Sequence, residues 1–144
     1  MKNIIESALK LLAEDGEFSK LAAISAKTGK GIEISVIPFL NYQLIRAIRN
    51  NGELDAQLVG IGPWLLSATQ AIKTRSRVTF DCGLAFKKDA ECLEVYGIEL
   101  KGPSKDAGYL KREMLKDAAR IEKAVRAGKL MGGCSIGIFA GASK

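Results

Sequence analysis

The sequence predicts a small α/β (α+β) protein whose elements run helix, strand, strand, strand, helix, strand, behind an N-terminal helical extension. Three stretches carry that prediction. Residues 77–102 read as two apolar strands joined by a polar loop. A long amphipathic helix follows, and a glycine-flanked apolar run closes the chain. A length of 144 residues, 47% hydrophobic and 26% charged, is ordinary globular composition and favours one domain, 1–144, with a modest core. Residues 1–37 form the extension and residues 38–140 the αβββαβ core.

Taken in order, Ile4, Ile5, Ala8, Leu11 and Leu12 make a helical stripe that ends at Asp15-Gly16. Leu21 to Ile24 reads as helix, Thr28 to Gly31 as a turn, and Ile32 to Ile37 as either a strand or a helix start. Pro38 suits the first turn of a helix, with Phe39, Leu40, Leu44, Ile45 and Ile48 on its apolar face and a stop at Asn50-Asn51-Gly52. Leu54 to Ile61 follows as the first strand, and Trp64 to Ile72 as a short helix or ordered connection. The long helix spans about Asp106 to Arg126, its apolar face drawn through Leu110, Met114, Ala118, Ile121 and Val125. Gly128 stops it. Ser135 to Ala140 is the last strand, and the glycines around it point to close backbone approach.

The central hairpin holds the chemistry. Val78, Phe80, Leu84 and Phe86 fill its first strand; Leu93, Val95, Tyr96, Ile98 and Leu100 fill its second. Asp81, Glu99 and Lys101 interrupt these apolar runs, and charge in such a place has to be paired or bound. Glu99 and Lys101, two apart, share a face. Pairing Phe86 with Cys92 across Lys87 to Glu91 sets Asp81 opposite Gly97, on the face of Glu99 and one diagonal step from it. Two carboxylates so placed suit one or two Mg²⁺ ions, which take a few carboxylate oxygens and complete their shell with water and phosphate. The same spacing also suits a structural salt bridge on a strand.

An Asp on one core strand and Glu-x-Lys on the next, here Asp81 and Glu99-Leu100-Lys101, resembles the signature of the PD-(D/E)xK nuclease superfamily. Phe80 stands where that name has its proline. The resemblance implies a restriction-endonuclease-like core, a central mixed four-stranded sheet flanked by helices. It implies Mg²⁺ (or Mn²⁺) held by Asp81 and Glu99, Lys101 positioning the attacking water, and hydrolysis of DNA phosphodiesters. In the family a glutamate from the first core helix often joins the site. Residues 38–50 contain no acid, and Glu33 and Glu53 flank them. Such a site treats one phosphodiester at a time, so cutting both strands calls for a homodimer. A chain that keeps the fold without the activity would be a nucleic-acid-binding or protein-interaction module.

Charge placement agrees with a nucleic-acid partner. Residues 1–100 carry 12 Lys/Arg against 12 Asp/Glu, whereas residues 101–144 carry 10 against 4 and hold the whole net charge of +6. Lys105, Lys111, Arg112, Lys116, Arg120 and Lys123 lie in this basic half, where they would attract a phosphate backbone. The alternative is a solvated helix face partly paired by Glu113, Asp117 and Glu122. Histidine is absent, which excludes Ser-His and Cys-His catalysis. Cys82, Cys92 and Cys134 are odd in number and lack metal-ligand spacing, as expected of reduced thiols in a cytoplasmic protein. No apolar run is long enough for a membrane span, and no signal-peptide pattern opens the chain.

Overall fold

The structure is a computed structural model, and it describes residues 1–28, 33–61, 80–87 and 93–140. Among the described residues five helices and four strands follow one another as α1 (Lys2–Glu14), α2 (Gly16–Thr28), α3 (Glu33–Arg49), α4 (Gly52–Gln57), β1 (Leu58–Ile61), β2 (Cys82–Lys87), β3 (Leu93–Ser104), α5 (Ala107–Arg126) and β4 (Gly132–Phe139). The strands form one mixed sheet in the order β1-β2-β3-β4. β1 and β3 each run antiparallel to β2, and β4 runs parallel to β3. A parallel neighbour requires a crossover, and α5 supplies it.

Both faces of the sheet are covered, and strand alternation decides what each face meets. Cys82, Leu84, Phe86, Ile98, Leu100, Ile136 and Ile138 point to the side of α1, α2 and α3, where they cluster with Ile5, Leu12, Phe18, Val36, Leu40, Leu44 and Ile48. The N-terminal helices are therefore part of the main core. On the opposite face Phe80, Ala85 and Val95 meet Ile121 and Ala124 of α5 and Leu130 beyond it. Close approach of α5 depends on two glycines of β4. A Cβ on Gly133 would stand 2.6 Å from the Gly97 carbonyl oxygen and 2.8 Å from Ile121, and one on Gly137 would stand 2.5 Å from the Met114 sulfur. Gly128, at φ +73°, ends α5 in the left-handed region that glycine adopts without steric cost.

Several boundaries differ from the sequence reading, each for a local reason. Pro38 does not open a helix; it sits exposed inside α3. The burial of Val36, Leu40, Leu44 and Ile48 on one stripe holds the helix together through the missing N–H. The predicted strand over Leu54 to Ile61 is a strand only from Leu58. Asn51 caps a short helix there, accepting a hydrogen bond from the Leu54 amide at 3.2 Å, with Glu53 and Asp55 in the favourable first turn. The last strand begins at Gly132, and β3 continues to Ser104. The stripe of α5 is rotated by one residue: Asp117 and Ala124 are buried where Ala118 and Val125 were expected. The stretch Trp64 to Ile72, the strand start at Val78, the turn over Gly29 to Gly31, Cys92 and most of the hairpin loop lie outside the described residues. No helix among the described residues is long and apolar enough to cross a membrane.

The two tight glycines lead to an asymmetric expectation. In Gly133→Ala the new methyl meets backbone, which cannot step aside, so chemical denaturation should show a loss of about 1–3 kcal/mol. In Gly137→Ala it meets the end of a flexible methionine, so stability should stay within about 1 kcal/mol of the parent. Equal losses would contradict this account of how α5 seats on the sheet.

Candidate functional site

Polar residues gather on the α5 face of the sheet, at the end of β2 away from the hairpin loop. β2 and β3 pair with Cys82 opposite Ile98 and Lys87 opposite Leu93. One more step sets Asp81 directly opposite Glu99, two residues from the predicted diagonal placement. A shift of two preserves the face, so the three motif residues still share one. Asp81 lies at the bend before β2, where its Oδ2 accepts a hydrogen bond from the Leu100 amide at 2.7 Å. The carboxyl thus anchors the first residue beyond the strand to the partner strand.

α5 crosses above this corner and adds Asp117 and Arg120, one helical turn apart. The Arg120 guanidinium forms an ion pair with Glu99 Oε1 and lies 3.8 Å from Asp117 Oδ1. It also sits 5.3 Å from the centre of the Phe80 ring. Lys101 Nζ is 3.6 Å from Asp117 Oδ2, an ion-pair distance beyond hydrogen-bond range. That Oδ2 atom is buried and accepts no hydrogen bond among the described residues. Asp81, Glu99 and Asp117 thus face Lys101 and Arg120, an excess of one carboxylate. Ser135, opposite Glu99 in the β3–β4 register, completes the corner with a buried hydroxyl that has no hydrogen-bond partner among the described residues.

Glu99 is 4% exposed. Burial pushes its carboxyl up to about 8; the charge of Asp81 and a hydrogen bond between the two side chains push the same way, as does Asp117. Arg120 pulls it down and is outweighed. Near neutral pH the raised value favours the protonated form of Glu99. Elsewhere, burial pushes the Cys82 thiol up to about 12, with its Sγ donating to Asn41 Oδ1 at 3.1 Å, and raises Cys134 as well. Neither is poised as a nucleophile.

Of the residues singled out in the sequence, Asp81 and Glu99 come together, and Lys101 lies on the same face with its ammonium beside Asp117. Arg120, expected on the outer basic surface, turns inward to Glu99. Lys105, Lys111, Arg112, Lys116 and Lys123 are exposed, Lys116 at 3.0 Å from Glu113 Oε1. Glu53 is exposed in the first turn of α4, and the Glu33 side chain lies outside the described set. Asp117 and Ser135 were missed. Asp117 carried a signal, an acid at a buried-stripe spacing between Leu110, Met114 and Ile121; Ser135 carried none. A cavity of about 460 Å³ between α5 and β4 lies beside this corner, touching it at Ser135; Lys111 also lines it, and the rest of its wall, with Leu110, Met114, Leu115 and Phe139, is mostly apolar. The titratable groups converge at the charged corner and not in this cavity.

No group of three or more His, Cys, Asp or Glu side chains among the described residues is arranged to hold a metal ion. Asp81 and Glu99, opposed in the β2–β3 register, are the two carboxyls that could offer oxygens to a divalent cation, and Mg²⁺ takes as few as one or two protein carboxylates. No protein-family model, curated protein or solved structure matches the chain.

The raised carboxyl of Glu99 gives stability a sign with pH. Between its ordinary value of 4.5 and about 8, the folded chain holds a proton that the unfolded chain has lost. The stability tied to that proton is full below 4.5 and disappears as pH rises through about 8. Denaturation of the parent and of Glu99→Gln across this window should show the parent losing ground steadily to the variant. A difference that stays constant with pH would refute the raised carboxyl of Glu99.

Proposed function

We propose that this chain has a restriction-endonuclease-like core and acts as a Mg²⁺-dependent phosphodiesterase on DNA. One observation carries the reading: Asp81 and Glu99 oppose each other on adjacent strands, with Lys101 on the same face two residues on. The element order, the antiparallel run of β1 to β3 and the parallel β4 reached through α5 support the fold. The net positive charge of residues 101–144 supports the polyanion partner.

In this reading Asp81 and Glu99 hold the ion. When bound, Mg²⁺ would stabilise negative charge on the phosphoryl oxygens and make water easier to deprotonate. Lys101 orients the attacking water through its ammonium group, while Asp117 fixes that ammonium from the α5 side. Water adds to phosphorus as one P–O ester bond breaks, leaving a phosphate monoester and a sugar hydroxyl. Lys111, Arg112, Lys116 and Lys123 hold the backbone over the corner.

A second reading also has an observation behind it. Arg120 on Glu99 and Lys101 beside Asp117 give much of the carboxylate cluster internal partners, as a structural network would. A non-catalytic DNA-binding module that keeps this fold would look the same. Cleavage separates the two readings. The purified chain should nick or cut DNA only with Mg²⁺ or Mn²⁺, and EDTA should stop it. Lys101→Ala should lose about 10²-fold or more of the rate with metal and DNA binding retained. DNA bound but never cut, or equal activity in parent and variant, would leave the binding module.

A further inference from the structure

We infer that Arg120 is a phosphate-responsive latch on the carboxylate pair, holding Glu99 until a nucleic-acid phosphodiester draws the guanidinium away. Divalent cation and nucleic acid would then bind with positive coupling. The inference rests on the proposed cation site at Asp81 and Glu99.

Three features lead to it. The Arg120 guanidinium is ion-paired with Glu99 Oε1, so it competes electrostatically with any cation that the carboxyl pair would hold. The anchors are fixed and the latch is not: the side chains of Glu99 and Asp117 are 6% and 8% exposed, whereas that of Arg120 is 47% exposed and has an open path to solvent. Finally, Arg120 lies between Lys116 and Lys123 at spacings of four and three, on one side of α5, and both neighbours are exposed. A phosphate backbone drawn to those lysines passes directly over Arg120. Its planar fork suits a phosphate at least as well as a single carboxylate oxygen. Release exchanges one partner for another, and Asp117 keeps Lys101 in place throughout.

Linkage makes the idea measurable, because if phosphate frees the cation site, cation must favour the phosphate-bound state by the same factor. Mn²⁺ would be titrated calorimetrically into the full chain with and without a short DNA duplex, in the parent, Arg120→Gln and Asp81→Asn. For the parent, duplex should tighten Mn²⁺ binding by about 5–150-fold, the usual range of such coupling. Arg120→Gln should bind Mn²⁺ more tightly than the parent without duplex, and duplex should then add little. If Arg120→Gln does not fold, Arg120→Lys, which keeps the charge and loses the fork, should show reduced coupling. Coupling that persists in full in the folded variant, or Mn²⁺ affinity no higher than the parent's, would overturn the latch. If Asp81→Asn still abolishes Mn²⁺ binding in that case, the cation site stands without the latch. Mn²⁺ binding that is absent, or indifferent to Asp81, would remove both.

Discussion

The side chain of Glu99 is the constraint on which the rest of this structure depends. A carboxylate in the middle of a four-stranded sheet, beneath a helix and against a second carboxyl, is costly to ionise. The fold answers with an arginine from α5, a hydrogen bond to the Asp81 side chain, and a lysine two residues along β3 that is drawn to Asp117. Each answer comes from a different element. The corner where they meet is therefore assembled only when β2, β3 and α5 are all in place.

That dependence runs back through the packing. α5 can bring Arg120 and Asp117 down to the sheet because β4 presents glycines beneath Ile121 and Met114, where side chains would hold the helix off. Gly97 on β3 makes room for the Phe80 ring and Leu130, where a Cβ would stand 3.2 Å from each. The cluster of Phe80, Val95, Ile121, Ala124 and Leu130 then fixes the helix beside the charged corner. Apolar burial positions the helix, and the helix positions the charges. An apolar sheet face with the same glycines would pack as well without the polar cluster, and such burial is generally more stabilising than a buried ion network. The cluster is therefore hard to explain by stability alone.

Much of this was legible in the sequence. The order of strands and of the long helix followed from periodicity, and the face of Asp81, Glu99 and Lys101 survived a register error because strand alternation repeats every two residues. What was not legible depended on tertiary contacts. Pro38 sits inside a helix because four buried residues on the far stripe hold it there. Residues 54–57 are helical because Asn51 caps them, a local signal overlooked beside the apolar Leu54. Asp117 was read as a surface charge because acids on helices usually are, although its spacing from Leu110, Met114 and Ile121 put it on the buried stripe, where it meets Lys101 and Arg120. Arg120 was counted with its basic neighbours for the same reason. Sequence spacing says which side of a helix a residue occupies and not which of two neighbours it will reach.

Whether this corner is built for chemistry or for architecture comes down to one ion. Crystals of the full chain soaked in Mn²⁺ and measured at the manganese absorption edge would locate it without reference to activity. An anomalous peak between the Asp81 and Glu99 carboxylates, with the Arg120 side chain displaced from Oε1, is what the account predicts. No peak there, with Arg120 still paired to Glu99 in the soaked crystal, would contradict it.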